Sequence, residues 1–415
     1  MLLSHDVPST TSVERLTGQL SPAAKVTRRT MLRVAAQFGP GLLAANRRAH
    51  SASLHRMVRF PEKRELILQT DRPPQLETPL HYFRQDLTPN EAFFVRWHLA
   101  GIPTSVDTGS FRLQVDGHVR RSLVLSLEDL RRRFEPVSIV AVAQCSGNSR
   151  SLFAPRVPGA QWKHGAMGNA LWTGVRLRDL LDAAGIRVAA IDVSFDGLDE
   201  PPLASIPDMV KSLAVDRARE PDVIVAWEMN GQPLPVLNGF PLRLVVPGWY
   251  ATYWIKALCR VTVLTRAFDG YWMAKAYRIP NNSGGAETPE HLAAETVPIN
   301  RFTVRSLFVR PEPGERIAMG LPCELEGLAF DYGAGIRRVE VSLDSGGHWM
   351  DARLDPEIGK YSFRRWRYQW SPQVRGTHRL MVRATNNDGT GQPTHHWNRG
   401  GYMRCVIEDV QVNVV

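Results

Sequence analysis

One stretch of the chain predicts both a buried strand and a functional loop, and it runs Ser138-Ile139-Val140-Ala141-Val142-Ala143-Gln144-Cys145-Ser146-Gly147-Asn148-Ser149-Arg150. Its first half is apolar and partly β-branched, which is typical of a strand that is buried on both faces. Ser146, Gly147 and Asn148 are turn formers, so the backbone is expected to bend away where the strand ends. The stretch therefore predicts that Cys145 faces a cleft, with the Arg150 cation near enough to favour its thiolate.

On the residues alone, Cys145 has three interpretations. A thiolate at a rigid strand end suits a soft metal ion. A buried structural thiol, or a nucleophile without an obvious histidine base, fits the same spacing. The four cysteines, at positions 145, 259, 323 and 405, are too few and too far apart for a disulfide framework or a zinc knuckle. There is also no Cys-x-x-Cys-His motif for covalent haem.

The composition is that of an ordinary globular protein, with 43% hydrophobic and 22% charged residues. A length of 415 residues gives room for two or three domains with buried cores. The formal net charge is +10, but the Arg and Lys residues are scattered, and no basic motif with interleaved aromatic residues occurs. Nucleic-acid binding is therefore not expected.

The first 51 residues are predicted to be a targeting segment. Thr27-Arg28-Arg29-Thr30-Met31-Leu32-Arg33 resembles a twin-arginine export motif, and a weakly apolar stretch follows over residues 34–45. That stretch is too short to cross a bilayer, and no later apolar run approaches the ~20 residues that a membrane span needs. Unless Arg28 and Arg29 merely begin an exposed helix, we expect a periplasmic protein without a membrane span.

The remaining chain is predicted to fold in two parts. Residues 75–285 mix short strands with helices, including a capped helix start at Ser126 and an amphipathic helix over 177–184 that stops at Gly185. Residues 281–285 are rich in linker residues. From residue 298 to 415 the pattern alternates with a period of two, which predicts an immunoglobulin-like sandwich of short strands.

Several polar residues stand out in otherwise apolar surroundings. Arg96 and His98 are two apart in a predicted strand and share one face, which is compatible with a solvated surface or with a site. Arg243 lies in a buried strand and needs an anionic partner, either a phosphate or a nearby carboxylate. Asp199 follows a strand and is able to bind a ligand or to cap a turn, and Tyr277 is compatible with simple packing.

Four separated segments resemble the sulfite oxidase family of molybdenum enzymes, in its bacterial sulfite dehydrogenase branch. They are residues 90–99, 144–150, 227–256 and 268–280. The resemblance implies an α+β molybdopterin-binding domain followed by an all-β immunoglobulin-like sandwich domain that mediates dimerisation. It also implies a molybdenum-molybdopterin cofactor.

The resemblance assigns roles to individual residues. Cys145 is implied as the protein ligand of molybdenum. The residues implied to bind the cofactor are Phe94, Arg96, His98, Cys145, Asp199, Asn238, Arg243, Trp254, Ile255 and Lys256. Those implied in catalysis are Arg96, His98, Arg150, Tyr277 and Arg404. The last comes from a closing segment, residues 397–404, in which Arg404 is preferred to Arg399 as the arginine that reaches the substrate.

The implied reaction is the oxidation of sulfite to sulfate. Because no haem is expected in this chain, the electrons are expected to pass to an external c-type cytochrome, in a homodimer or in a heterodimer with a cytochrome subunit. Two alternatives remain open at this stage. One is a related molybdopterin oxygen-atom reductase, for example of sulfoxides, and the other is a non-enzymatic secreted protein with an immunoglobulin-like binding module.

Overall fold

The computed structural model describes residues 56–415, so the predicted targeting segment over 1–51 lies outside the described residues. The described helices are short, and the α-helices are Leu127–Arg133 (α1), Leu177–Ala184 (α2), Val215–Ala218 (α3) and Tyr271–Ala274 (α4). Single 3₁₀ turns occupy Leu80–Arg84, Asn90–Ala92, Arg150–Leu152, Val236–Asn238 and Ala251–Tyr253. Within residues 56–415, no helix is both long and apolar enough to cross a membrane.

Strands make up most of the first part of the fold. They are Met57–Arg59 (β1), Glu65–Asp71 (β2), Pro74–Glu77 (β3), Val95–Arg96 (β4), Leu113–Gly117 (β5), Leu123–Leu125 (β6), Pro136–Gln144 (β7), Met167–Arg176 (β8), Asp192–Gly197 (β9), Lys211–Ala214 (β10), Ile224–Met229 (β11), Gln232–Pro233 (β12), Arg243–Val245 (β13), Leu258–Leu264 (β14), Arg278–Pro280 (β15) and Thr296–Pro298 (β16).

The second part is entirely β-structure. Its strands are Arg305–Arg310 (β17), Arg316–Ile317 (β18), Cys323–Phe330 (β19), Ile336–Ser342 (β20), Met350–Asp351 (β21), Arg353–Leu354 (β22), Arg364–Trp370 (β23), Gly376–Asn386 (β24) and Glu408–Val414 (β25). They form one sheet in the order β17-β19-β23-β22 and a second in the order β18-β25-β24-β20-β21. Apolar side chains of both sheets share one core, including Leu325, Trp366 and Val382. This architecture confirms the predicted immunoglobulin-like sandwich.

Three larger sheets build the first part. The first has the order β1-β2-β3-β4, the second β10-β9-β14-β5-β6, and the third β12-β11-β8-β7 with β13 paired to β11. Strands β1 and β2 precede residue 75, and β2 pairs with β3 through contacts such as Ile67 opposite Glu77. The fold of this part therefore begins earlier in the chain than the predicted span of 75–285.

Local sequence signals explain both of the longer helices. Helix α1 begins at a capping box in which the Ser126 side chain accepts from the Asp129 N–H and the Asp129 carboxylate accepts from the Ser126 N–H. Helix α2 buries one apolar face and ends at Gly185, which takes the left-handed conformation with φ 70°. Both predictions are confirmed because these signals act within a few residues.

Strand β7 delivers Cys145 as predicted, but it is less buried than its sequence indicates. It lies at the edge of its sheet, and only Ala141–Gln144 are fully buried, while the earlier residues are partly exposed. The second part of the chain covers this edge, since the N–H of Val142 donates to the Tyr361 carbonyl at 2.9 Å. The end of β7 that carries Cys145 is thus enclosed by both parts of the fold.

Candidate active site

A pocket lies where β4 and β7 end and where β13 begins. Its lining residues are Phe94, Arg96, His98, Cys145, Ser146, Leu237, Asn238, Arg243, Ala251, Thr252, Lys256 and Tyr277. Eight of these are predicted site residues, namely Phe94, Arg96, His98, Cys145, Asn238, Arg243, Lys256 and Tyr277. Residues far apart in sequence therefore meet around one small, polar space.

The loop after β7 holds Cys145 at the wall of this cavity. The Cys145 N–H donates to the Ala166 carbonyl at 2.9 Å, and the Cys145 carbonyl accepts from the Asn148 N–H at 3.0 Å. The Asn148 side chain fixes the turn further, because it accepts from the Ala166 N–H and donates to the His164 carbonyl. Cys145 is a free cysteine, 7% exposed, that lines the cavity. This placement fits a ligand thiol better than one enclosed in hydrocarbon.

Arg96, His98 and Tyr277 converge on one side of the cavity. The Arg96 Nη2 donates to the Tyr277 hydroxyl at 3.4 Å, and His98 Nε2 shares a hydrogen bond with the same hydroxyl. Burial, followed by repulsion from Arg96, holds the pKa of His98 well below its usual range, so the imidazole is neutral near pH 7. Burial also raises the pKa of Tyr277, which keeps its hydroxyl protonated. The cluster thus combines one cation with two neutral hydrogen-bonding groups.

The opposite wall carries buried cations. Arg243 is 3% exposed, and its Cζ lies 5.1 Å from the centre of the Trp172 ring and 5.8 Å from that of Trp254. Burial lowers the pKa of Arg243 to about 9. Burial and then Arg243 itself lower the pKa of Lys256 to about 7. Among the described residues neither cation forms an ion pair with a carboxylate, although Asp199 lies near enough to raise the pKa of Lys256. Arg243 is thus left without the anionic partner that a buried cation normally requires.

A third buried cation, Lys63, supports this wall from the turn between β1 and β2. Its ammonium donates to the carbonyls of Asn90 and Phe93, at 2.7 and 3.2 Å, and to the side-chain oxygen of Asn238. Burial lowers the pKa of Lys63 to about 7. Lys63 was not predicted as a site residue, and no motif marks it. Ser146 and Thr252 were also missed, although Ser146 follows Cys145 directly and Thr252 lies two residues before Trp254.

Three predicted residues lie just outside the lining. Trp254 is fully buried and packs on Arg243, and Ile255 is 4% exposed. Asp199 is 6% exposed, and burial raises its pKa to about 6, an effect opposed by Lys256. The structure therefore places Asp199 near Lys256 and Trp254 against Arg243.

The structure does not bring the predicted C-terminal arginine to this cavity. The Arg404 guanidinium pairs with Glu408 at 3.0 Å and donates to the Leu152 carbonyl at 3.1 Å. Arg399 pairs with Glu287 at 2.6 Å and is 46% exposed in its side chain. Both side chains are held by nearby carboxylates, which a motif match alone does not show.

Arg150 is also outside the lining, and its guanidinium donates to the carbonyls of Ala160 and Gly400, each at 3.3 Å.

Comparisons with known proteins agree with this arrangement. An oxidoreductase molybdopterin binding domain matches residues 99–272, and a Mo-co oxidoreductase dimerisation domain matches residues 296–414. The chain is 34% identical to mitochondrial sulfite oxidase from Homo sapiens over 373 residues, which cover 86% of this chain and 67% of that protein. The chain belongs to the sulfite oxidase family.

Other relatives show how wide this family is. The chain is 36% identical to sulfite oxidase from Gallus gallus over 71% of its length, which covers 64% of that protein. It is 30% identical to nitrate reductase [NAD(P)H] from Hordeum vulgare over 79% of its length, which covers 39% of that protein. The structure of sulfane dehydrogenase SoxCD from Paracoccus pantotrophus shares the fold, with a TM-score of 0.72 and 24% identity over 92% of this chain and 96% of that one.

Family membership makes this protein a molybdenum-dependent oxidoreductase with a molybdopterin cofactor, and the cavity fits such a group. Three buried polar atoms at its wall, Ser146 Oγ, Thr252 Oγ1 and Arg243 Nε, have no hydrogen-bond partner among the described residues. Such atoms are rarely left unpaired, and neither Arg243 nor Lys256 forms an ion pair among the described residues. A phosphate-bearing pterin satisfies both needs, and the Cys145 thiolate is a suitable ligand for its metal. Residues that would hold the phosphate are Arg243 and Lys256.

Proposed function

We propose that this enzyme oxidises sulfite to sulfate, as a member of the sulfite dehydrogenase branch of its family. The observation that carries the proposal is the convergence of Arg96, His98 and Tyr277 beside Cys145 in one small cavity. Sulfite is a compact oxyanion, and a guanidinium with two neutral hydrogen-bonding groups is a set that matches its charge and its oxygens. Arg150 adds a second cation next to the loop that carries Cys145.

The protein's own residues bind and orient this anion. Arg96 supplies charge, and the Tyr277 hydroxyl, kept protonated by burial, supplies a donor. His98 Nε2 and the Tyr277 hydroxyl share one hydrogen bond, so a proton is held between them at the site. When bound, the molybdenum cofactor supplies the two-electron redox chemistry and the oxygen transfer. The Tyr277 side chain is 7% exposed, and burial away from water strengthens its electrostatic contacts.

Of the two alternatives, membership of the family rejects the non-enzymatic binding protein. The oxygen-atom reductase remains a competitor, because relatives of this chain include nitrate reductase. A sulfoxide is neutral and gains little from Arg96, whereas an oxyanion gains directly. The charge of the cavity therefore favours sulfite over a sulfoxide.

The electron acceptor and the location are part of the same proposal. The sequence lacks a Cys-x-x-Cys-His motif for its own haem, and the dimerisation domain favours an assembly of two subunits, either two copies or one copy with a cytochrome subunit. The twin-arginine motif at residues 27–33 favours the periplasm. A c-type cytochrome is the acceptor that fits that compartment.

The test is an assay of molybdenum-loaded protein with sulfite as donor and either ferricyanide or cytochrome c as acceptor. Turnover that depends on sulfite and reduces cytochrome c supports the proposal. The same preparation is assayed with reduced viologen and dimethyl sulfoxide or nitrate. Reductase turnover without sulfite oxidation would replace the proposal with the competing one.

A further inference from the structure

One aromatic ring in the C-terminal part of the chain contacts two predicted active-site residues. The ring belongs to Tyr402, on the closing segment over residues 397–404. It stacks on the Tyr277 ring, with centroids 5.4 Å apart and planes at 21°. The Arg150 Cζ lies 5.2 Å from the centre of the same ring.

We propose that Tyr402 is a positioning residue of the active site, whose ring holds the Arg150 guanidinium and the Tyr277 side chain in the geometry that binds the anion. This inference rests on the proposed binding of an oxyanion at the site. The role that the sequence assigned to an arginine of this segment is thereby taken by an aromatic residue.

The surroundings of Arg150 explain why a ring is needed there. Arg150 is 8% exposed, its two hydrogen bonds to the Ala160 and Gly400 carbonyls are both 3.3 Å long, and its Nε has no partner among the described residues. A carboxylate would neutralise this charge before an anion arrived. The face of an aromatic ring attracts a guanidinium without cancelling its charge, so the cation remains available to a substrate.

Two glycines without side chains make room for the Arg150 guanidinium. A Cβ atom on Gly147 would lie 2.4 Å from Arg150 Nη2, and one on Gly401 would lie 2.8 Å from Arg150 Nε. Gly401, beside Tyr402, also has a φ of +60° that favours glycine. The guanidinium thus lies in a space that depends on glycines of both the Cys145 loop and the closing segment.

The closing segment is itself fixed in place. The buried Asn398 side chain accepts from the Tyr402 N–H at 3.0 Å and donates to the Tyr402 carbonyl at 2.9 Å. The N–H of Met403 donates to the Ser146 carbonyl at 3.1 Å, which ties the segment to the residue after Cys145. The position of the Tyr402 ring therefore follows from backbone contacts and does not depend on the ligand.

The test compares Tyr402→Leu, which removes the ring, with Tyr402→Phe, which keeps it. We measure KM and kcat for sulfite and, independently of turnover, the Kd of sulfate by calorimetry with molybdenum-loaded protein. Tyr402→Leu is expected to raise both KM and Kd about tenfold while kcat changes little, and Tyr402→Phe to stay within about twofold of wild type. Tyr332→Leu is the matched control, because Arg301 lies 4.5 Å from the Tyr332 ring in the same domain and away from the cavity.

The outcomes separate this inference from the proposed function. If wild type binds sulfate but does not oxidise sulfite, the proposed function is wrong. The Kd values of sulfate for wild type and the Tyr402 variants then still test the role of Tyr402. Three results would each overturn the inference. KM and Kd are unchanged in Tyr402→Leu, or Tyr402→Phe loses as much affinity as Tyr402→Leu, or wild type does not bind sulfate. Should Tyr402→Leu misfold by circular dichroism, Gly401→Ala displaces Arg150 with the ring intact, and it is expected to weaken sulfate binding similarly.

Discussion

Lys63 and Asn238 are 175 residues apart in the sequence, yet the Lys63 ammonium donates to the Asn238 side-chain oxygen at the edge of the cofactor cavity. The backbone carbonyl of Asn238 in turn accepts from Arg243 Nη1 at 3.0 Å. Two buried cations thereby meet at one asparagine. The turn between the first two strands is consequently a structural part of the cofactor site.

A pH dependence follows from this contact. Lys63 has a pKa of 10.5 in the unfolded chain and about 7 in the folded protein, so between these values the unfolded chain binds more protons. We expect the melting temperature of the unloaded protein to rise with pH over this interval because of Lys63, and Lys63→Met to reduce that rise.

In wild type, bound cofactor is expected to reduce this rise of the melting temperature with pH, because a phosphate near Lys63 favours the charged form of the lysine. Differential scanning calorimetry from pH 6.5 to 9.5 measures both effects. Lys360→Met, at an exposed lysine, is the control. An identical pH slope in wild type and Lys63→Met would contradict the buried, weakly basic state of Lys63.

Cys145→Ser is expected to abolish sulfite oxidation while the melting temperature changes little. Serine nearly preserves the volume of the side chain, but its hydroxyl is not deprotonated near neutral pH and is a poor ligand for a soft metal site. Ferricyanide reduction by sulfite and molybdenum content are the measurements. Cys323→Ser, at a free buried cysteine of the second domain, serves as the matched variant and is expected to retain activity. Wild-type rates in Cys145→Ser would remove the thiol from the reaction.

Arg96→Gln and Arg150→Gln are each expected to raise the KM for sulfite by at least tenfold, which corresponds to about 1.4 kcal/mol. Both changes remove a cation near the cavity and keep a polar, though shorter, side chain. Arg260→Gln controls for loss of surface charge, since the exposed Arg260 side chain pairs with Asp116 at 3.0 Å. Unchanged steady-state kinetics in either active-site variant would exclude that residue from substrate binding.

The sequence predicts features that depend on neighbouring residues better than features that depend on distant ones. The capping box at Ser126 and the glycine stop at Gly185 act within one turn, and the structure confirms both. The alternation after residue 298 likewise reports which face of each strand is buried. These signals are local, so a single sequence contains them in full.

Contacts between segments that are distant in the sequence are harder to predict from the sequence. The partial exposure of β7 depends on its position at a sheet edge, which its own apolar residues do not reveal. Lys63 lies in a short turn before the predicted domain, and only the tertiary fold brings it to Asn238. In the closing segment, two arginines and a tyrosine fall within six residues, and side-chain direction decides which of them faces the site. Tyr402 does so because Glu287 and Glu408 hold Arg399 and Arg404 elsewhere.

A buried network of polar side chains joins the second domain to the Cys145 loop. Arg305 on β17 is 1% exposed and pairs with Glu408 at 3.4 Å, while its guanidinium also donates to Gln144, Ser149 and His164. Removing one member of a buried pair leaves its partner unpaired and typically costs about 3–5 kcal/mol. We expect Arg305→Met to lower the free energy of unfolding by an amount in this range.

The same variant is expected to loosen the turn that carries Cys145, because Gln144 and Ser149 flank that residue and both lose a donor. Iodoacetamide labelling of unloaded protein, mapped by mass spectrometry, measures this as faster modification of Cys145 relative to Cys323. The control is Arg379→Met, which removes an exposed pair with Asp409 at 3.0 Å and is expected to change stability by less than about 1 kcal/mol. Equal labelling of Cys145 in both variants would show that Arg305 stabilises the domain contact without ordering the loop.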